Sequence, residues 1–261
     1  MRTRLRTLKS VSVHPSVTRG FGTAAESYER SRPGYPADAV SWLVERIRLA
    51  PGTTVIDLAA GTGKLTRLLV PTGATVIAVE PVDQLRAQLE AAVPGAELRA
   101  GYAERIPLSE GGADAVTVAQ AFHWFATDVA LGEMARVLRP GGRLGLIWNM
   151  RDQGDDLQRA FTEIVEPLRD DEPSAYDGRW RPVLGASPLF GPIEKRTFRY
   201  EQWLDADGLA ERASSISFVS AAPADRRADL IARVRALAGG RVIRFPYVTA
   251  AYVSERAGGL M

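Results

Sequence analysis

The sequence predicts an α/β protein on a doubly wound, mostly parallel sheet, and three observations carry that expectation. Short apolar β-type runs alternate with helical patterns from residue 53 to 149, the rhythm that parallel crossover connections impose. A glycine-bearing loop, Asp57-Leu58-Ala59-Ala60-Gly61-Thr62-Gly63, follows the first run, where an open parallel sheet presents its first ligand loop. Glu80 closes the second run, 23 residues after Asp57.

The elements follow in order. Thr23 and Glu26 have capping-box spacing, so a short helix runs through Arg30 and stops before Pro33. Val40, Leu43, Val44 and Ile47 share one face of a helix over 37–49, which Pro51-Gly52 ends. TTVIDLA is a buried strand, and GTGKLTRLLV opens the next helix. ATVIAVE is the second strand, followed by a helix through Ala92; AELRAGYA and ADAVTVAQA are the third and fourth strands. Residues 128–138 are helical, Pro140-Gly141-Gly142 turns, and RLGLIWN is the fifth strand.

Beyond residue 149 the rhythm changes. A helix covers 156–168, and 170–192 is a Pro/Gly/Arg/Trp-containing stretch with no assigned element. Strand KRTFRYEQW, a helix from Asp205, a helix over 224–238 and strand RVIRFPYV bring the strands to seven. The expected organisation is a basic arm over 1–20 and a single domain over 21–261. Within it, 21–36 form a lid segment, 37–149 a cofactor-binding core and 150–261 an acceptor-side half.

Composition removes several chemistries. The chain has no Cys, which excludes disulfides, thiolate zinc sites, iron–sulfur clusters and a cysteine nucleophile. Two His give no reason to expect a multi-His metal centre, so no metal is expected. No apolar run approaches the roughly 18 residues that span a bilayer, and a cytoplasmic protein without a membrane partner is expected. The net charge of +2 is uneven. Arg2, Arg4, Arg6, Lys9 and Arg19 fall in an acid-free stretch over 1–20, whose composition suits a disordered arm or a transit peptide. The remaining residues are mildly acidic, which argues against a large nucleic-acid face.

The loop after the first strand separates three nucleotide folds. A Walker phosphate loop needs Gly at position 58 and Ser or Thr after the Lys, where this chain has Leu58 and Leu65. A dinucleotide fingerprint wants Gly or Ala at position 66, where Thr66 stands. Asp57 precedes the glycines, where a carboxylate repels pyrophosphate and suits a phosphate-free cofactor carrying an ammonium; S-adenosylmethionine is that cofactor. Glu80 is either a surface acid ending a strand or the acceptor of both ribose hydroxyls.

These segments resemble the class I S-adenosylmethionine-dependent methyltransferases of the type 11 family. VIDLAAGTGKLT is similar to the family's first motif, VIAVEP to its second and GYAERIPL to its adenine-facing turn. ADAVTVAQAFHWF and LRPGGRLGLIWN resemble its fourth and fifth strands, and PYVTAAYVSER its final strand. The AFHWF segment and the N-terminal Tyr…Arg-Pro-Gly-Tyr-Pro segment resemble the trans-aconitate methyltransferase-like subgroup. Ala59 departs from the glycine that the wider class prefers there.

The resemblance implies a seven-stranded sheet with an antiparallel last strand, S-adenosylmethionine as cofactor, and roles for individual residues. Asp57, Gly61 and Gly63 would hold its amino-acid portion and Glu80 its ribose, with Ala59 and Pro81 also among the cofactor-binding residues. Ala103 and Glu104 would contact adenine with Ile106 packing on the ring, and Gln120 would line the methionine end. Tyr28 and Arg32, about a helical turn apart, would close over the cofactor from the lid segment, or else lie on a solvated helix end.

On the acceptor side, His123 is the single His of residues 21–261 and sits among Phe122, Trp124 and Phe125. It is either a positioned residue in an aromatic turn or an acceptor-orienting residue or base. Trp124, Trp148, Asn149 and Arg151 are candidates for the acceptor pocket, although Arg151 has Asp152 beside it for a surface ion pair. Trp180, between Arg179 and Arg181, is either a pocket lid or part of a surface loop. The function expected is methyl transfer to a small-molecule acceptor, at a carboxylate or hydroxyl oxygen, by direct displacement. The alternatives are a nucleic-acid methyltransferase and a catalytically silent cofactor-binding protein. The first lacks the Pro-Pro-aromatic signature of base amino-methylators.

Overall fold

The computed structural model describes residues 32–169 and 171–258. The basic arm, the expected helix between Thr23 and Arg30, and Tyr28 lie outside the described residues. Seven strands form one sheet in the order β3-β2-β1-β4-β5-β7-β6. Strands β1 (Thr54–Leu58), β2 (Thr75–Val79), β3 (Glu97–Arg99), β4 (Ala113–Ala119) and β5 (Leu138–Arg151) pair in parallel. Strand β7 (Ile243–Glu255) runs antiparallel between β5 and β6 (Glu194–Leu204).

Alternation along the central strands sorts side chains to two faces. Ile56, Ile77, Val116, Leu146 and Trp148 point into one core with Leu131 and Met134 of α4 (Asp128–Val137). Val55, Val76, Ala115 and Ile147 point into the other, against Trp42, Leu43 and Ile47 at α1 (Ala37–Arg46). Helix α4 is capped by Thr127, whose side chain accepts from the Ala130 amide.

Several boundaries moved for local reasons. The loop after β1 winds through turns, so regular helix α2 is only Thr66–Leu69; Pro71 then sits in a 3₁₀ turn, Val70–Thr72. Helix α3 (Asp83–Ala92) follows β2 as expected. The Pro140-Gly141-Gly142 segment does not separate β5 from α4 but is its bulged beginning, with a register shift opposite Ala113 and Ala115.

The C-terminal half builds a third core. Phe161 and Val165 of α5 (Asp156–Val165) pack with Leu209 and Ala213 of α7 (Ala206–Ser214). Leu230 and Val234 of α9 (Ala224–Ala236) and Phe245 and Tyr247 of β7 complete it. The stretch without an assigned element contains helix α6 (Trp180–Ala186), and a short helix α8 (Ser217–Ser220) follows α7. Trp180 is neither a lid nor a surface residue. It is 4% exposed and stacks on Trp148 with centroids 4.7 Å apart.

Candidate active site

The carboxyl ends of β1, β2, β4 and β5 open into a cavity of about 280 Å³. At its β1–β2 end, Leu58, Ala59 and Gly61 face Glu80, Pro81 and Leu85, with Gly101, Tyr102, Ala103 and Glu104 closing the side. A smaller compartment of about 70 Å³ adjoins it, sharing Arg32, Ala59, Gly61, Gln120 and Asn149 and adding Lys64 and Tyr35.

Glu80 organises this end. One carboxylate oxygen accepts from the Gly61 amide and the other from the Val82 amide, both at 3.0 Å. Each oxygen keeps a further lone pair, the arrangement that a pair of adjacent hydroxyls requires. Burial raises the Glu80 pKa, opposed by these two amides and Arg86. Gly61 has φ +59°, and a Cβ there would meet nothing within 4 Å, so the backbone presents itself directly to the cavity. Gly63 works in the opposite direction. A Cβ there would lie 2.9 Å from Val93 and 3.0 Å from Leu89, so this glycine lets the loop press against α3.

Asp57 stands behind the loop. It is 1% exposed, and its two oxygens accept from Thr66 Oγ1 at 2.7 Å and Thr117 Oγ1 at 3.1 Å. Burial raises its pKa to about 6, opposed by the two hydroxyls. Neither Asp57 nor Gly63 is among the cavity walls; both shape the loop whose exposed members are Ala59 and Gly61. Ala59 and Gln120 take left-handed backbone angles, φ +56° and +60°, at the neighbouring ends of β1 and β4. This explains a preference for glycine at position 59 as a matter of conformation as well as of space. Ile106 is 2% exposed and belongs to the core beneath the turn at Tyr102–Arg105, not to the cavity wall.

Arg32 is tied in, not solvated: its guanidinium donates to the Ser215 carbonyl at 2.6 Å and to Ser215 Oγ at 3.3 Å. Asn149 donates to the Gly34 carbonyl at 2.7 Å and accepts from Thr249 Oγ1 at 2.6 Å, fastening the entering chain to β5 and β7.

Gln120, His123, Trp124, Trp148 and Asn149 line the middle of the cavity. Trp148 Nε1–H donates to His123 Nδ1 at 3.4 Å. Burial, assisted by Arg169 and Arg32 and opposed by Asp177, lowers the His123 pKa to about 4. Arg151 makes no pair with Asp152. It is 7% exposed, reaches Glu166 at 3.3 Å and Tyr176 Oη at 3.2 Å, and lines the far end of the cavity.

Sequence reasoning missed Tyr102, Leu85, Arg169, Tyr176, Arg212 and Phe218 among the walls. Arg212 carried a signal, a charged residue on the apolar face of a helix beside Leu209 and Ala213. Tyr176 and Arg169 lie in irregular chain, where periodicity offers none.

A doubly wound sheet with a glycine loop at its switch point and a carboxylate on the next strand end has the arrangement of an α/β enzyme that binds a nucleoside-containing cofactor. A methyltransferase domain family matches residues 56–146. An uncharacterised methyltransferase of Mycobacterium tuberculosis is 39% identical over 236 residues, spanning 88% of this chain and 92% of the relative. A methyltransferase-like protein of Schizosaccharomyces pombe is 32% identical over 244 residues, spanning 90% and 95%. In fold, the chain is similar to a putative methyltransferase from an antibiotic biosynthesis pathway of Anabaena variabilis, with TM-score 0.61, 19% identity and coverage of 87% and 99%. The chain belongs to the type 11 methyltransferase family, and its cofactor is S-adenosylmethionine.

Proposed function

We propose that this enzyme methylates an oxygen, a carboxylate or hydroxyl, of a small-molecule acceptor by direct displacement. One observation carries the reading: the Glu80–Gly61 end and the arginine- and aromatic-lined end belong to a single cavity, joined at Gln120, His123 and Asn149. Glu80 and the backbone of Gly61 would hold the ribose and amino-acid portions, with Pro81, Ala103 and Glu104 at the adenine. When bound, the cofactor supplies an electrophilic methyl group on a sulfonium.

The protein's own task is then alignment and exclusion of water, the main contributions a displacement needs. A carboxylate acceptor has no proton to lose, so no general base is required. His123 suits an orienting role. With Nδ1 accepting from Trp148, a neutral ring carries its hydrogen on Nε2 and donates to an acceptor oxygen.

The test is incubation of the enzyme with methyl-labelled cofactor and a fractionated metabolite extract. Label in a base-labile ester or in an ether of low molecular mass supports the reading. Label that RNase removes overturns it. Replacing His123 with Asn tests the orienting role, since unchanged turnover at saturating acceptor would sink it.

A further inference from the structure

Among the described residues, three buried side-chain atoms lack a hydrogen-bond partner: Arg46 Nε, Arg151 Nη1 and Gln158 Oε1. Of these residues, only Arg151 lines the cavity. Its other groups are held firmly. Its backbone N–H donates to Tyr176 Oη at 2.7 Å, Nε reaches the same oxygen, and Nη2 reaches Glu166. The guanidinium carbon lies 5.1 Å from the Tyr176 ring centroid and 5.8 Å from that of Phe161. A guanidinium keeps its charge and offers only donors, so a buried N–H without an acceptor waits for an oxygen from elsewhere.

The surroundings say what kind of oxygen. Arg32, Arg151, Arg169 and Arg212 line the cavity, Arg32 and Arg212 also bordering the smaller compartment beside Ala59 and Gly61, and Glu172 lies with them in the walls. Glu172 accepts from Ser217 Oγ, and Glu166, behind the wall, is shared between Arg151 and Arg169. The His123 pKa is lowered first by burial and further by Arg169 and Arg32, against an opposing Asp177, so among the described residues positive charge reaches the imidazole from this wall. The same cavity is lined by the aromatic rings of Trp124, Phe125, Tyr176 and Phe218, surfaces that suit a planar apolar group.

We propose that Arg151 anchors a carboxylate handle on the acceptor, a small compound with a planar, largely apolar body and a second oxygen that receives the methyl group. This rests on the reading of the cavity as an acceptor site. Handle and reacting atom are distinct because an oxygen whose lone pairs are held by a guanidinium is a poor nucleophile. The reacting oxygen then lies toward Gln120, His123 and Asn149, at the junction with the cofactor end.

The test uses benzoate and its neutral isostere benzamide as probes. Binding is measured by calorimetry to the full chain saturated with S-adenosylhomocysteine. Benzoate binds, and benzamide binds at least about tenfold more weakly. Arg151→Met lowers benzoate affinity by about ten- to a hundredfold and leaves benzamide nearly unchanged. Arg151→Lys, which keeps the charge and loses the fork, falls between. Glu166→Gln removes a competing carboxylate and tightens benzoate several-fold, a gain that a merely structural Arg151 would not produce.

Equal binding of the two probes, no benzoate binding to the unaltered protein, or unchanged benzoate affinity in Arg151→Met or Arg151→Lys would overturn the anchor. Benzoate held through Arg151 by a protein that methylates nothing would instead sink the methyl-transfer reading and leave the anchor standing.

Discussion

The indole of Trp148 directs its single N–H at Nδ1 of His123, 3.4 Å away, and so decides which imidazole nitrogen carries hydrogen. An indole nitrogen only donates, so the nitrogen facing it must be bare. Trp148 is itself held between Trp180, stacked on one side, and Tyr252, edge-on at 5.7 Å. The aromatic core thereby sets the state of a polar group in the cavity.

His123 should consequently stay neutral throughout the physiological range. In a variant with His14 replaced by Gln, nitrogen NMR should show one imidazole in the Nε2–H form that does not titrate above about pH 5, with the His123 pKa pushed down to about 4. Trp148→Phe should let the Nδ1–H form appear. A His123 titration near pH 6.5 in the unaltered protein would refute the arrangement.

The pH dependence of stability should contain two opposing contributions. His123 titrates at about 4 when folded and near 6.5 unfolded, so the unfolded chain binds more protons between these values and His123 makes stability rise with pH. Asp57 titrates at about 6 when folded against 3.8, so the folded chain binds more protons there and Asp57 makes stability fall as pH rises. Across about pH 4 to 6 the two offset each other. Asp57→Asn should therefore steepen the loss of Tm on acidification, and His123→Asn should flatten it. Tm curves parallel to that of the unaltered protein would disprove the offset.

Glu80→Gln should weaken S-adenosylhomocysteine binding by about ten- to a hundredfold, because one of the two backbone N–H groups it accepts from, and one contact of its proposed ribose role, lose a charged acceptor. The unliganded protein should lose about 1–2 kcal/mol of stability. Calorimetric titration and denaturant unfolding separate the two effects.

The loop after β1 should respond with opposite signs at two positions four residues apart. Ala59→Gly relieves a left-handed alanine at φ +56° and should gain up to about 1 kcal/mol, the relief partly offset by glycine's entropy. Gly63→Ala puts a methyl group 2.9 Å from Val93 at φ +83° and should cost about 2 kcal/mol or more. Urea unfolding midpoints measure both, and a loss at Ala59→Gly or a gain at Gly63→Ala would contradict the backbone reading.

The cofactor half was legible in the sequence because its signals are local. Apolar runs place β1, β2 and β4, and the strand ends then carry Ala59, Glu80 and Gln120 to one cavity. Asp57 was legible in position, but its depth and its hydroxyl partners Thr66 and Thr117, the latter 60 residues away, were not. Trp180 was ambiguous because its partner, Trp148, is 32 residues distant and on another element. The acceptor walls were the least legible. Arg169, Tyr176 and Phe218 come from irregular chain and short helices, where neither period nor turn chemistry marks a residue's direction.

Strand β5 has a further consequence. Trp148, Asn149, Met150 and Arg151 are consecutive on it, and its antiparallel register with β7 runs unbroken to Arg151 opposite Tyr247. The proposed cofactor junction and the proposed anchor are thus marks on one ruler, separated by a fixed number of peptide units. Divergence toward a new acceptor has little freedom to slide along that ruler. It would come from the facing walls, Arg169, residues 172–176, Arg212 and residues 216–218, which can be resculpted without disturbing the spacing along β5.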